Sequence, residues 1–194
     1  VQYDDEIAIE ESELDMISEV IPETFIDTDL IYRPTNFQAG QFVASSTAFY
    51  SEPYTNRLAE MIKFVIDSEG PIHETILAER ISDLHDFADL TDQCQTRVNY
   101  LARKYRDSVH ELTGEFFWPR GSDPEKDAPA RYKGREGKLR KLEFTSLAEI
   151  KRIISSPVAE LKDFRLDKVF DLESKNSDAY DEMSLKRLNE ARQS

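Results

Sequence analysis

Gly70-Pro71 cuts off the most regular apolar stripe in the chain, and what stands on either side of that break constrains the fold more than any other feature. Before it, Leu58, Met61, Ile62 and Val65 recur at i, i+3, i+4 and i+7, which predicts one buried face of a helix beginning near Asn56. After it, Pro71-Ile72-His73 reads as a short extended piece, and a second helix follows from Glu74 with Leu77, Ile81 and Leu84 on one face. A polar turn from Asp86 to Thr91 leads into a third helix striped by Cys94, Val98, Leu101 and Tyr105. Val109 and Leu112, a turn at Thr113-Gly114, and Phe116-Phe117-Trp118 then predict a hairpin closed by Pro119. Helix, short strand, helix, helix and two-stranded wing is the order of a winged helix. The expected fold is therefore mainly α with a small β-hairpin wing, a winged-helix core carrying an N-terminal acidic arm and C-terminal helices.

Charge divides the chain into regions. Residues 1–53 hold twelve acidic side chains against the single Arg33, so most of the net charge of −14 belongs to this stretch. It reads as an acidic arm or connector, with a short helix near Glu11 to Val20, a strand at Phe25 to Tyr32, and a segment Asn36 to Pro53 laid along the globular part. Residues 54–120 form the winged-helix domain, 121–145 a basic loop, and 146–194 a helical extension. In that extension Ser146 and Glu149 have the spacing of a capping box, Pro157 suits the first turn of another helix to about Phe164, and a last helix spans Asp178 to Ala191.

The run Asp67-Ser68-Glu69-Gly70-Pro71-Ile72-His73, then Glu79-Arg80-Ile81, then Phe116-Phe117-Trp118-Pro119 resembles a domain of unassigned function. That domain usually occurs at the C-terminal end of large bacterial superfamily 1 helicases, often beside a Vsr-like endonuclease domain. The resemblance covers Tyr54 to Pro119 and implies an accessory unit that helps hold DNA, outside the parent's motor and nuclease. The sequence departs from the family pattern in the second turn, where Asp86 to Asp92 is acidic and lacks the usual Gly and basic residue.

The third helix occupies the recognition position. Opposite its apolar stripe the periodicity places Thr96, Asn99 and Arg103, where Asn can read adenine and Arg guanine; the alternative is an ordinary solvated face. Arg97, Arg103, Lys104 and Arg106 are the candidates for sequence-independent phosphate contact. Arg131, Lys133, Arg135, Lys138, Arg140 and Lys141 put six cations against the single Glu136, a strip that could track a phosphate backbone or dock on the acidic arm. Phe116 and Trp118 are expected in the core, with Phe117 half exposed and available for stacking.

Catalytic signals are missing. There is no phosphate-cradling glycine loop, no Gly-x-Ser-x-Gly elbow and no Cys–His pair, and the Glu-x-Lys triplets at Glu136 and Glu160 are short enough for chance. His73, His85 and His110 lack metal-ligand spacing, so His73 is expected to hydrogen-bond at a helix start and no metal or cofactor is expected. The lone Cys94 reads as a small core residue and fits a reducing cytoplasm. No apolar run is long enough to span a membrane, no secretion signal stands near the start, and the opening Val1 fits a segment of a longer polypeptide. The expectation is a non-catalytic accessory module whose partners are DNA, single- or double-stranded, and other domains of the parent. The alternative is a docking module with no nucleic-acid contact, and convergence or scatter of the cations discriminates the two.

Overall fold

The structure is a computed structural model that describes residues 31–38, 42–133, 140–156, 170–171 and 182–193. The sequence-predicted elements at 11–20, 25–30 and 157–164 lie outside the described residues, as do Arg135 and Lys138.

A 3-10 turn at Glu52–Tyr54 opens helix α1, Thr55–Glu69. Leu58, Met61, Ile62 and Val65 are all fully buried, as their spacing predicts, and Ala59 and Ile66 widen the stripe. The helix stops at Gly70, where a Cβ would lie 2.5 Å from the Ile66 carbonyl oxygen and 2.6 Å from Pro119 Cδ. Strand β2, Ile72–His73, follows, and then α2, Glu74–Leu84. His73 caps α2 by accepting the Thr75 amide at Nδ1 (3.1 Å), and its Nε2–H donates to the Thr113 carbonyl (3.1 Å). The turn after α2 passes through Asp86 at φ 54°, a left-handed conformation that Asp tolerates better than most residues.

Helix α3, Asp92–Tyr105, begins where Thr91 Oγ1 accepts the Cys94 amide (3.2 Å). Strands β3, Asp107–Glu111, and β4, Gly114–Trp118, form the hairpin, with β4 central between β3 and β2 in an antiparallel sheet. The Ile72↔Phe117 and Ser108↔Phe117 pairings turn Phe117 toward the helices, where it joins Leu58, Ile62, Ile81, Val98 and Leu101. Phe117 is fully buried, which corrects the expectation of half exposure. Phe116 and Trp118 are buried as well; the Arg187 guanidinium lies 5.7 Å from the Phe116 ring centroid. The end of β4 is buried on both faces, so none of its three aromatic residues stacks outward. The described chain is thus mainly helical, with this small three-stranded sheet.

Residues 42–50 pack along the helices. Phe49 is fully buried, and Phe37, Phe42 and Ala48 pack against the core. The basic loop expected at 121–145 instead carries α4, Pro124–Asp127, and strands β5, Tyr132–Lys133, and β6, Arg140–Lys141. Strand β1, Ile31–Tyr32, pairs parallel to β5, and β6 pairs parallel to β7, Phe170–Asp171. A second 3-10 turn, Leu142–Phe144, leads to α5, Leu147–Ile154, and α6, Glu182–Gln193, completes the described chain. Among the described residues no helix is long and apolar enough to cross a membrane.

Candidate functional site

The face of α3 turned inward carries Cys94, Val98, Leu101 and Ala102. Asn99 is buried with this face: only 4% exposed, it donates from Nδ2 to Glu74 Oε2 of α2 (3.0 Å). Asn99 therefore does not stand on an outward, base-reading face. A substituent reaching α3 from outside meets instead the exposed Gln93, Thr96, Tyr100 and Lys104, which follow at i, i+3, i+7 and i+11.

The cations nearby are differently employed. Arg103 bonds Glu115 Oε2 from Nε (2.7 Å) and Nη2 (2.6 Å), with Glu74 at 3.7 Å, although its side chain remains half exposed. Arg106 clamps both oxygens of Asp67 (2.8 and 2.5 Å). Lys104 is exposed, its Nζ 5.4 Å from the Tyr105 ring centroid. Arg97 differs from these: Nη2 donates to Thr55 Oγ1 (2.9 Å) and to the Ser51 carbonyl (3.4 Å), and among the described residues no carboxylate reaches it. Its Nε is buried without an acceptor.

Two members of the basic strip are internal, which overturns their reading as a surface track. Arg131 is buried and holds Glu149 through Nε (3.0 Å) and Nη2 (2.7 Å), while Nη1 and Nη2 donate to the carbonyls of Glu69 (2.5 Å) and Pro71 (3.1 Å). Arg140 grips the same carboxylate from Nη2 (2.6 Å) and Nη1 (3.0 Å) and stacks over Tyr32, 4.5 Å from its ring centroid. Tyr32 in turn donates to Glu69 Oε2 (2.6 Å), a carboxylate that also takes Arg80 Nε (3.2 Å). Burial would push the Glu149 carboxyl up, yet Arg131 and Arg140 overcome it and hold the group at about 2. Burial and then Glu69 push the Tyr32 hydroxyl up to about 12. Lys133 lies in β5, and Lys141 is half-buried in β6.

Glu149 has a second surprise. Ser146 Oγ accepts its amide (3.2 Å) as the capping box predicts, but the Glu149 carboxylate turns to the arginines instead of reaching back. Glu111 serves the next amide of the same helix start, that of Leu147, at 3.0 and 2.9 Å while bonding Arg187 of α6 (2.7 Å).

The two buried glutamates, Glu69 and Glu149, are occupied by guanidinium, hydroxyl and backbone-amide donors, and burial pushes the Cys94 thiol up. His85 is buried, donating from Nδ1 to the Ile81 carbonyl (2.7 Å) and facing the Tyr54 hydroxyl at Nε2 (3.0 Å). Among the described residues no group of three or more His, Cys, Asp or Glu is placed to hold a metal ion.

A cleft of about 490 Å³ is lined by Tyr50, Asp92, Gln93, Thr96, Arg97 and Tyr100. Tyr100 is 64% and Tyr50 44% exposed, large rings left in water beside a half-buried guanidinium. Tyr100 was legible at i+4 from Thr96, but an aromatic ring is not a base-reading polar group and carries no such mark in sequence. Tyr50 carries no signal at all, because only the folding of the connector brings it to α3.

A family described as a protein of unknown function (DUF3320) matches residues 47–88, which span the end of the connector, α1, β2 and α2. No curated protein matches the chain, and neither does any solved structure.

Proposed function

We propose that this chain carries a non-catalytic winged-helix module that docks on another protein domain through the outward face of α3. The winged-helix reading rests on the order α1, β2, α2, α3, β3, β4 and on the pairing of β2 with β4 and β4 with β3. A helicase-like parent rests on the resemblance of Glu69 to His73, Glu79 to Ile81 and Phe116 to Pro119; the match to an unassigned family covers the first two of these runs.

The observation that favours docking over DNA is the pairing of the cations. Arg103, Arg106, Arg131 and Arg140 are each bonded to carboxylates of the chain itself. A polyanion is held by cations that exchange counterions for phosphates, and a guanidinium already neutralised by an internal carboxylate contributes little to that exchange. Fluorescence anisotropy with labelled single-stranded and duplex DNA across a salt series tests the reading. Docking expects no salt-dependent binding and no effect of Arg103→Ala. Steep salt-dependent binding, weakened further by that substitution, would replace it with the DNA-holding reading. That second reading is favoured by Thr96, Tyr100 and Lys104, which face outward on the third helix of the unit.

A further inference from the structure

We propose that the cleft between Tyr50 and α3 binds a protein segment presenting an apolar side chain next to a carboxylate. The proposal rests on the docking reading and specifies its chemistry.

Arg97 is the reason. Every other buried or half-buried arginine among the described residues, namely Arg80, Arg106, Arg131, Arg140 and Arg187, is paired with a carboxylate. Among the described residues Arg97 has only a hydroxyl and a carbonyl. A guanidinium partly withdrawn from water and bonded to neutral acceptors alone keeps its charge uncompensated, so an incoming carboxylate gains a charge-assisted bond there. Asp92 in the same cleft does not supply it: this carboxylate stands in the first turn of α3 and makes no ion pair with Arg97.

The walls supply the apolar half of the recognition. Tyr50 and Tyr100 offer two rings with few rotatable bonds, and tyrosine and arginine are among the residues enriched where binding energy concentrates. Thr96 and Gln93 on the same wall can bond the backbone of an extended segment. A nucleic-acid strand could also stack on the rings. However, among the described residues that line it the cleft offers a single cation, which suits one carboxylate better than a run of phosphates.

The test is chemical-shift mapping on the whole chain with two probes, acetyl-Gly-Leu-Glu-Gly-amide and its Leu-Gln counterpart, at millimolar concentration. The Glu peptide is expected to shift Tyr50, Thr96, Arg97 and Tyr100, and to bind about tenfold more tightly than the Gln peptide, the effect of one hydrogen bond to a charged group. Arg97→Gln is expected to make the two peptides equal, and Tyr100→Ala, at an exposed position, to weaken both. Equal binding of the peptides to the unaltered chain, or no shift at these residues, overturns the proposal. A (dT)8 oligonucleotide on the same sample separates the failures. If it shifts the cleft residues in a salt-dependent way, the docking reading itself falls; if it does not and the peptides fail, only this partner chemistry falls.

Discussion

Glu149 and Arg131 meet at 2.7 Å, the carboxylate fully buried and the guanidinium nearly so. Glu149 comes from the first turn of α5 and Arg131 from the segment before β5, and the same guanidinium reaches back to the Glu69 carbonyl at the end of α1. One ion pair thus ties the C-terminal helices to the first helix of the unit. Removing one partner leaves a buried charge uncompensated, which costs more than the intact pair contributes. Glu149→Ala is therefore expected to destabilise the chain by about 3–5 kcal/mol, read from the midpoint of a urea transition. A loss under about 1 kcal/mol would mean that the arginines find water or other acceptors.

The same carboxylate sets an acid limit. Its pKa in the folded chain, about 2, lies below the ordinary 4.5, so the unfolded chain binds its proton first as pH falls. Its contribution is fully present above pH 4.5 and is lost between there and about pH 2. Its size is roughly 3 kcal/mol, because each tenfold difference in proton affinity between the folded and unfolded chain is worth roughly 1.4 kcal/mol. Urea midpoints measured across this window should fall more steeply for the unaltered chain than for Glu149→Gln.

His73 and His85 work nearer neutrality. Burial pushes both imidazoles below their ordinary 6.5, so stability should be complete above that pH and decline as the solution is acidified. Protonation at His73 Nδ1 would also remove the acceptor that caps α2. Thermal midpoints between pH 7.5 and 5.5 should drop for the native chain and drop less for His85→Leu. An unchanged slope would show that His85 takes its proton without cost.

Gly114 stands at φ 142°, and a Cβ there would lie 2.6 Å from His73 Nε2. Gly114→Ala must displace the imidazole from the Thr113 carbonyl or strain the hairpin. The expected loss is roughly 1–3 kcal/mol, with the His73 ring resonances shifted. A neutral substitution would mean that the hairpin turn re-forms around the methyl group.

Phe117→Ala distinguishes a core residue from a stacking platform. Fully buried between the sheet and the helices, Phe117 should cost roughly 3–5 kcal/mol on truncation. Arg103→Ala, whose side chain is half exposed, should cost less than about 1 kcal/mol. Denaturant midpoints of the two variants give the comparison, and similar losses would contradict the packing described.

Local order was legible in the sequence alone. The stripe from Leu58 to Val65, the stop at Gly70, the cap at Ser146 and the turn before Gly114 depend on neighbours within a few positions, and period, propensity and glycine geometry act over that range. Cys94 and Leu101 declared their burial the same way. Tertiary structure decided everything that depends on what covers a face. Asn99 is inward because Glu74 of another helix reaches it, and Phe117 is buried because β2 and the helices close over β4. The basic strip shows why charge is hardest to read. A cation in sequence carries no mark of its partner, and Arg131 and Arg140 became structural only when α5 brought Glu149 between them, since a buried carboxylate is stable only where guanidinium groups converge on it.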